Sequence, residues 1–188
     1  MVEIGHILAE PPSLAAHRAS NPGGLWDQFP AIPEKQILRH QLNLEQEGLC
    51  IFCESELSAN DGHVEHIKSK TLNSHLTFIY DNVAHSCDGP GRCGHHKRRE
   101  VLPIEPRPGA NNFFALSALT GELSPVVGLS ELNNQRSKDT LRILGLNHDP
   151  GLNRRRQQYA VTLCGLITAA DIAAFLSSVP FRWSLKCL

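Results

Sequence analysis

The sequence of 188 residues is 41% hydrophobic and 20% charged, with a formal net charge of −1. This composition is typical of a globular chain with one medium domain, or one small module with flanks, and excludes a disordered, fibrous or highly charged chain. The near-neutral total conceals a division of charge. Residues 1–65 hold three basic and ten acidic residues, whereas residues 66–188 hold fifteen basic and nine acidic residues. The near-zero total therefore does not exclude a polyanionic partner.

Three regions can be distinguished along the chain. We expect a helical region at residues 1–48, a central region rich in cysteine and histidine at residues 49–103, and a mainly helical region at residues 104–188. In the first region, Pro33 at a first-turn position and Gly48 as a stop predict one helix between them.

The C-terminal region contains one predicted hairpin and two predicted helices. The hairpin is expected around Phe113–Pro125, and the helices at about Leu129–Leu144 and Leu152–Ser177. The uncharged run Gln157–Ala170 is shorter than a membrane span and is interpreted as a buried core helix. Short strands in the centre and helices on both sides together predict an α+β fold that does not enter a membrane.

Residues 50–97 hold four of the six cysteines and six of the ten histidines. Residues 1–24 show no basic start followed by an apolar core, so we expect a cytoplasmic, reducing location, where paired thiols are more often metal ligands than disulfides. A CxxC pair and a second pair around a loop with glycine and proline suit one tetrahedral Zn²⁺. The expected ligands of this structural zinc are Cys50, Cys53, Cys87 and Cys93. His85, two residues before the third cysteine, is an alternative ligand.

Residues suited to phosphodiester hydrolysis lie among these cysteines. Glu65 and His66 are adjacent, Asn82 follows at a distance, and His95 and His96 open a basic segment. A carboxylate with a neutral imidazole can hold Mg²⁺ or Mn²⁺ while leaving coordination positions for water and phosphate. An adjacent histidine, which titrates close to neutral pH, can accept the proton of that water.

The order of these motifs resembles the HNH endonucleases with the ββα-metal fold, in their zinc-supported form. The matching segments are the CxxC pair, Glu65-His66-Ile67, Asp81-Asn82-Val83 and Cys93-Gly94-His95-His96-Lys97. More narrowly, the chain is similar to the PtuB-type nucleases of Septu and retron-associated anti-phage systems, and this likeness extends over most of its length. The resemblance implies a ββα-metal HNH core supported by the four-cysteine zinc site, with mainly helical flanks.

The resemblance also implies a role for each motif residue. His66 would be the general base that activates water, and Glu65 would be a ligand of Mg²⁺ or Mn²⁺. Asn82 would orient His66 through hydrogen bonding without contacting the substrate. The third motif residue, also a metal ligand, falls on His95 or His96, with His95 preferred because similar proteins carry Asn at that position.

A basic segment directly follows the expected metal-binding helix. Because phosphates would have to lie there, we expect Lys97, Arg98 and Arg99 to contact the DNA backbone, which supplies affinity without sequence choice. The resemblance implies that the chain cuts or nicks DNA in prokaryotic antiviral defence. It further implies a partner, a PtuA-like ATPase of the ABC/SMC type.

Two other interpretations of the central region are open. In the first, the chain is a non-catalytic zinc-binding adaptor, which would have no need of Glu65, His66 and Asn82. In the second, His63-Val64-Glu65 is the His-x-Glu triplet of a zinc deaminase. Those enzymes place a CxxC pair after the triplet, whereas here the CxxC pair precedes it.

Overall fold

The computed structural model describes residues 1–188 as seven α-helices and two small antiparallel sheets, which confirms the predicted α+β class. The helices are α1 (Pro12–Ser20), α2 (Gln36–Glu45), α3 (Cys93–Lys97), α4 (Glu131–Leu144), α5 (Pro150–Cys164), α6 (Ala169–Ser178) and α7 (Arg182–Leu185). The strands are β1 (His63–His66), β2 (Val83–Ser86), β3 (Phe114–Leu116) and β4 (Leu123–Pro125). None of the helices combines the length and the apolar character that a membrane-spanning segment requires.

The predicted helix between Pro33 and Gly48 is present over a shorter span. Ile32 is extended (φ −133°, ψ 129°), as residues before proline tend to be, and a wide turn over Ala31–Lys35 precedes α2. Gly48 follows the end of α2 and adopts a φ of +71°, a conformation that glycine reaches without strain.

The N-terminal helices pack on the central region through a second, smaller core. Leu14 of α1 and Leu38 and Leu42 of α2 are fully buried in it, together with Phe29 and Phe78. The two α2 leucines are four residues apart and therefore lie on the same face of the helix. This cluster fixes the N-terminal region against the segment that leads into β2.

An antiparallel hairpin and a short helix form the centre of the molecule. β1 pairs with β2 in a register that places His63 opposite Ser86. Because side chains alternate along a strand, His63 and Glu65 project from the same face of β1. The start of α3 lies against this face, close to both side chains. The hairpin and α3 together give the strand–strand–helix order that positions the candidate site.

The C-terminal hairpin and the first C-terminal helix agree with the sequence predictions. β3 and β4 pair with Phe114 opposite Pro125. Ser130 caps the N-terminus of α4 through its side chain, and Gly145 in the left-handed conformation ends the helix. Helix α4 therefore matches the predicted Leu129–Leu144 to within two residues.

The prediction of one helix over Leu152–Ser177 is wrong. α5 ends before Gly165, and Thr168 caps a separate helix, α6, by accepting a hydrogen bond from a backbone N–H of its first turn. The interpretation of Gln157–Ala170 as a buried core helix is also wrong, because Ala160 is its one buried residue. Helix α5 turns one face toward the core, with Leu152, Arg156 and Ala160 buried, and the helix residues after Ala160 are not buried.

The main core contains 27 buried residues drawn from all parts of the chain. Val2, Phe52, Leu144 and Phe181 belong to it, as do the four cysteines of the central region. Burial of each large apolar side chain contributes roughly 1.5–3 kcal/mol. The flanking regions thus cover the central region and exclude water from its cysteines.

Candidate functional site

Four buried thiols converge on one point next to the hairpin. The Sγ–Sγ distances are 3.8 Å for Cys50 and Cys93, 3.8 Å for Cys53 and Cys87, and 3.7 Å for Cys87 and Cys93. All four sulfur atoms lie within 4.8 Å of one another. A tetrahedral site with Zn–S bonds of about 2.3 Å has sulfur–sulfur edges of about 3.8 Å. The cluster therefore has the donor set and the spacing to hold a metal ion such as zinc.

The local backbone directs these thiols inward. Cys93 begins α3 with a φ of +57°, a conformation uncommon for a residue other than glycine. Cys50 and Cys53 flank a tight turn in which the Cys50 carbonyl accepts a hydrogen bond from the Glu54 N–H at 3.0 Å. The cluster thus connects this turn with the start of α3.

Two arginines lie close enough to the thiols to act on their charge. Arg156 is fully buried, donates from Nη1 to the Leu146 carbonyl at 2.8 Å, and leaves Nε and Nη2 without a partner. Four thiolates around one Zn²⁺ would carry a net charge of −2, which the guanidinium group of Arg156 would partly offset, whereas Arg92 also pairs with the carboxylate of Asp149. A buried arginine without a carboxylate partner therefore fits a thiolate-bound metal.

His85 does not belong to the cysteine cluster. Its Nε2 lies 2.7 Å from the Asp61 carbonyl oxygen, and its Nδ1 lies 3.1 Å from Nδ2 of Asn43. With both ring nitrogens engaged in these contacts, the alternative of His85 as a zinc ligand is wrong.

The carboxylate of Glu65 lies between β1 and α3. Its Oε1 accepts a hydrogen bond from Lys97 Nζ at 2.8 Å, and its Oε2 lies 3.3 Å from His63 Nε2. Burial by itself raises the pKa of Glu65, but the contacts with His63 and Lys97 outweigh it and hold the pKa below its usual value. A Cβ atom at Gly94 would lie 2.6 Å from Glu65 Oε2 and 2.8 Å from His63 Nε2, so the approach of α3 depends on glycine.

The expectation that Lys97 contacts DNA is wrong. The side chain is fully buried, and Nζ donates to Glu65 Oε1 and, at 2.9 Å, to the His66 carbonyl. Lys97 lies four residues after Cys93, about one helical turn, so it shares the inward face of α3. Arg98 and Arg99, the other two residues of the predicted contact, are exposed.

His66 lies at the end of β1 beneath the indole of Trp26. The two rings meet edge to face with 4.7 Å between their centroids, and His66 Nε2 donates to the Thr77 carbonyl at 2.9 Å. Burial lowers the pKa of His66 to about 4. The imidazole is therefore neutral near pH 7, and its Nδ1 carries the lone pair of a potential base.

Asn82 braces the segment between His66 and β2. Its Oδ1 accepts a hydrogen bond from the Lys68 N–H at 2.8 Å, and its Nδ2 donates to the Lys68 and Leu76 carbonyls at 2.9 and 3.2 Å. Leu76 immediately precedes Thr77, whose carbonyl holds His66. Asn82 thus holds in place the segment whose Thr77 carbonyl contacts His66. Its side chain does not line the polar cleft that Glu65, His66 and His95 form.

The two neighbouring histidines of α3 point in different directions. His95 lines a polar cleft, and its Nε2 lies 3.0 Å from Asp88 Oδ1. His96 Nδ1 instead donates to the Ile143 carbonyl at 2.9 Å, and its ring packs edge to face against His148. His96 therefore connects α3 to the end of α4, and its assignment as a metal ligand is wrong.

The polar cleft contains most of the candidate residues. Glu65, His66 and His95 line it, and its rim is basic; the cations of the rim are Lys70, Arg98 and Arg99. Three neighbours of the site have no role in the predicted nuclease site: His63, Asp88 and Trp26. Strand alternation could have placed His63 beside Glu65, whereas nothing in the sequence indicates that Asp88 and Trp26 approach this cleft.

Comparison with known proteins identifies the class. No protein-family model matches the chain. The chain is 33% identical over 166 residues to a protein named as the HNH endonuclease of retron Vc95, from Vibrio cholerae serotype O1 biovar El Tor, with 81% of this chain and 80% of that protein covered. The chain therefore belongs to the HNH endonuclease family, which confirms that part of the resemblance.

A second relative comes from Escherichia coli and is named as the HNH endonuclease of retron Ec83. It is 29% identical over 157 residues, with 62% of this chain and 59% of that protein covered. Both relatives thus carry the same family name.

Proposed function

We propose that this chain is a metal-dependent endonuclease that hydrolyses phosphodiester bonds of DNA. The observation that carries the proposal is the state of His66. Its imidazole is neutral, its Nε2 is fixed by Thr77, and its Nδ1 has no protein partner where the ring lines the cleft. A neutral imidazole with one nitrogen held by a carbonyl and the other free can accept a proton from water. Membership of the HNH endonuclease family supports the same reaction class.

In the proposed reaction, His66 Nδ1 accepts a proton from a water molecule whose oxygen forms a bond to phosphorus. One phosphodiester P–O bond breaks as this bond forms, and the departing oxygen takes up a proton from solvent. Thr77 keeps the imidazole in the tautomer that can accept the proton, and Asn82 holds the segment that carries Thr77. The indole of Trp26 packs edge to face against the ring of His66 and helps to fix its orientation.

The donor groups of the cleft fit a divalent cation, Mg²⁺ or Mn²⁺. Glu65 and His95, the ligands that the HNH resemblance implies, lie there with further nitrogen and oxygen donors beside them. When bound, such a cation supplies positive charge to the scissile phosphate. The four cysteines would hold a structural Zn²⁺ that stabilises the hairpin and α3.

The basic rim of the cleft supports DNA as the substrate. Lys70, Arg98 and Arg99 are exposed around the site, where their charges would meet the phosphates next to the scissile bond. Such contacts follow the backbone and do not select a sequence.

The biological setting that we propose is antiviral defence in a prokaryotic cytoplasm. The names of both relatives associate them with retrons. By the resemblance to PtuB-type nucleases, the chain would act beside a PtuA-like ATPase of the ABC/SMC type, in a Septu or a retron-associated system.

Incubation of the purified chain with supercoiled plasmid and Mg²⁺ or Mn²⁺ tests the activity. The wild type should convert the plasmid to nicked or linear forms, alone or together with the proposed ATPase partner. His66→Ala should remove this conversion, and His75→Ala, at an exposed histidine outside the cleft, should retain it. If the wild type and His66→Ala convert the plasmid equally little, also with the ATPase present, the nuclease proposal is rejected in favour of the zinc-binding adaptor.

A further inference from the structure

Three side chains of types that can ligate a metal ion meet beside the cleft: His63, Asp88 and His95. His63 Nδ1 lies 2.7 Å and His95 Nε2 lies 3.0 Å from the same oxygen, Asp88 Oδ1. Adjacent ligand atoms around a cation with bonds of about 2.1 Å are about 3 Å apart, so these distances suit one shared ion. The side chains of Asp88 and His95 are 60% and 56% exposed, which leaves positions open for water and phosphate.

Glu65 occupies a different position relative to this group. Its Oε2 faces the other ring nitrogen of His63, Nε2, at 3.3 Å, and its Oε1 is held by the buried ammonium of Lys97. A histidine that binds a metal through one nitrogen usually donates its other N–H to a carboxylate, which fixes the ring. Glu65 and His63 have this relationship.

The geometry points to a divalent-cation site formed by His63 Nδ1, Asp88 Oδ1 and His95 Nε2, with Glu65 as the carboxylate that orients His63. This inference rests on the proposed function for its catalytic meaning and changes the ligand set: Glu65, which the resemblance implies as a ligand, becomes a positioning residue. Lys97 then holds Glu65 in place, which accounts for a buried lysine in α3.

The donor set also restricts the choice of cation. Two imidazole nitrogens and one carboxylate oxygen favour transition metals, whereas Mg²⁺ prefers an all-oxygen environment. We therefore expect Mn²⁺ to bind at least about 10-fold more tightly than Mg²⁺. The Cys50 cluster, with its soft sulfur donors, would retain zinc under the same conditions.

Binding of Mn²⁺ to the chain loaded with a single equivalent of Zn²⁺, which the four thiols take up first, tests the site when it is measured by electron paramagnetic resonance without DNA. Asp88→Asn and His95→Gln should weaken Mn²⁺ binding by more than about 100-fold, since the first removes the negative charge of a ligand and the second removes an imidazole ligand. Glu65→Gln should weaken it by about 10–100-fold, the usual effect of losing an outer carboxylate. Asp81→Asn, at an exposed aspartate outside the cleft, is the matched control and should bind Mn²⁺ as the wild type does. Zinc content and circular dichroism verify that each variant is folded.

The outcomes separate this site from the proposed activity. Loss of Mn²⁺ binding in Glu65→Gln with unchanged binding in Asp88→Asn would return Glu65 to the ligand set and overturn the inference. Absence of saturable Mn²⁺ binding by the folded wild type would overturn it as well. Mn²⁺ binding with the expected order of variants would support the site even if no DNA were cut, and that result would reject only the nuclease proposal.

Discussion

The Nε2 atom of His66 lies 2.9 Å from the carbonyl oxygen of Thr77, and this contact determines which ring nitrogen carries the proton. A carbonyl oxygen only accepts hydrogen bonds, so Nε2 is the donor and Nδ1 retains a lone pair. Burial lowers the pKa of the ring to about 4. The protein therefore holds His66 in its neutral form across the range in which a free histidine would titrate.

The depressed pKa of His66 makes stability depend on pH. Below about pH 6.5 the unfolded chain binds a proton at this residue, whereas the folded chain does so only near pH 4, so stability is lost as the pH falls. From pH 7 to pH 5 the contribution of His66 is about 2 kcal/mol. Urea unfolding measures this effect. Between pH 7 and pH 5, the free energy of unfolding should decrease by about 2 kcal/mol less in His66→Gln than in the wild type.

His85 provides an internal comparison for this experiment. Burial lowers its pKa to about 4 as well, so part of the acid destabilisation should persist in His66→Gln and decrease further in a double variant with His85→Gln. An identical pH dependence in the wild type and His66→Gln would show that His66 is not protected from protonation by the fold.

Removal of the proposed structural zinc should unfold the central region. Structural zinc is worth roughly 10–16 kcal/mol in zinc-finger peptides, which exceeds the total stability of most domains. Cys53→Ser, which removes one fully buried thiol from the cluster, should lose zinc and its cooperative thermal transition. Cys164→Ser, at an exposed cysteine, should retain both. Zinc analysis with thermal circular dichroism checks this, and a zinc-free Cys53→Ser chain with wild-type melting would contradict a structural role.

The sequence predicts those parts of the site that depend on local spacing. The CxxC pair and the Gly/Pro-rich loop indicate Cys50 and its partners, and the Glu65-His66 pair follows from the motif order. The hairpin and α4 follow from turn and capping residues such as Ser130. Each of these features is determined by residues close together in the chain.

The parts that the sequence does not predict depend on contacts between distant segments. Trp26 meets His66 across forty positions because the N-terminal helices pack on the segment before β2. In the sequence Lys97 is one member of a basic run, and only the rotation of α3 about its axis turns it inward while Arg98 and Arg99 stay exposed. Periodicity cannot specify that rotation for a helix of five residues.

Arg98 and Arg99 should determine the salt dependence of DNA binding. Removing one phosphate-binding cation decreases the slope of log K against log salt by about 1, so the double variant Arg98→Gln/Arg99→Gln should bind DNA more weakly with a slope smaller by about 2. Arg154→Gln/Arg155→Gln removes two exposed charges from α5 and is the matched control. Fluorescence anisotropy with a labelled duplex at several salt concentrations measures the affinity and its salt slope. Equal slopes for the two double variants would show that DNA does not contact Arg98 and Arg99.

Gly94 should be required for activity but not for folding. In Gly94→Ala the new Cβ would lie 2.6 Å from Glu65 Oε2 and 2.8 Å from His63 Nε2, so α3 or these side chains must shift. Alanine favours a helix over glycine by up to about 1 kcal/mol, which opposes any loss of stability. Displacement of site groups by about 1 Å costs roughly 100-fold in rate. We therefore expect plasmid cleavage to fall by about that factor with the melting temperature nearly unchanged.

A glycine without neighbours supplies the control for this substitution. A Cβ at Gly5 would meet no atom within 4 Å, so Gly5→Ala should cleave plasmid as the wild type does. Mn²⁺ binding to Gly94→Ala should also weaken, since His63 and Glu65 are the side chains that the new methyl group displaces. If Gly94→Ala instead retains both wild-type cleavage and wild-type Mn²⁺ affinity, the close contact between α3 and β1 is not what positions the cleft, and His63 and Glu65 have more freedom than their distances indicate.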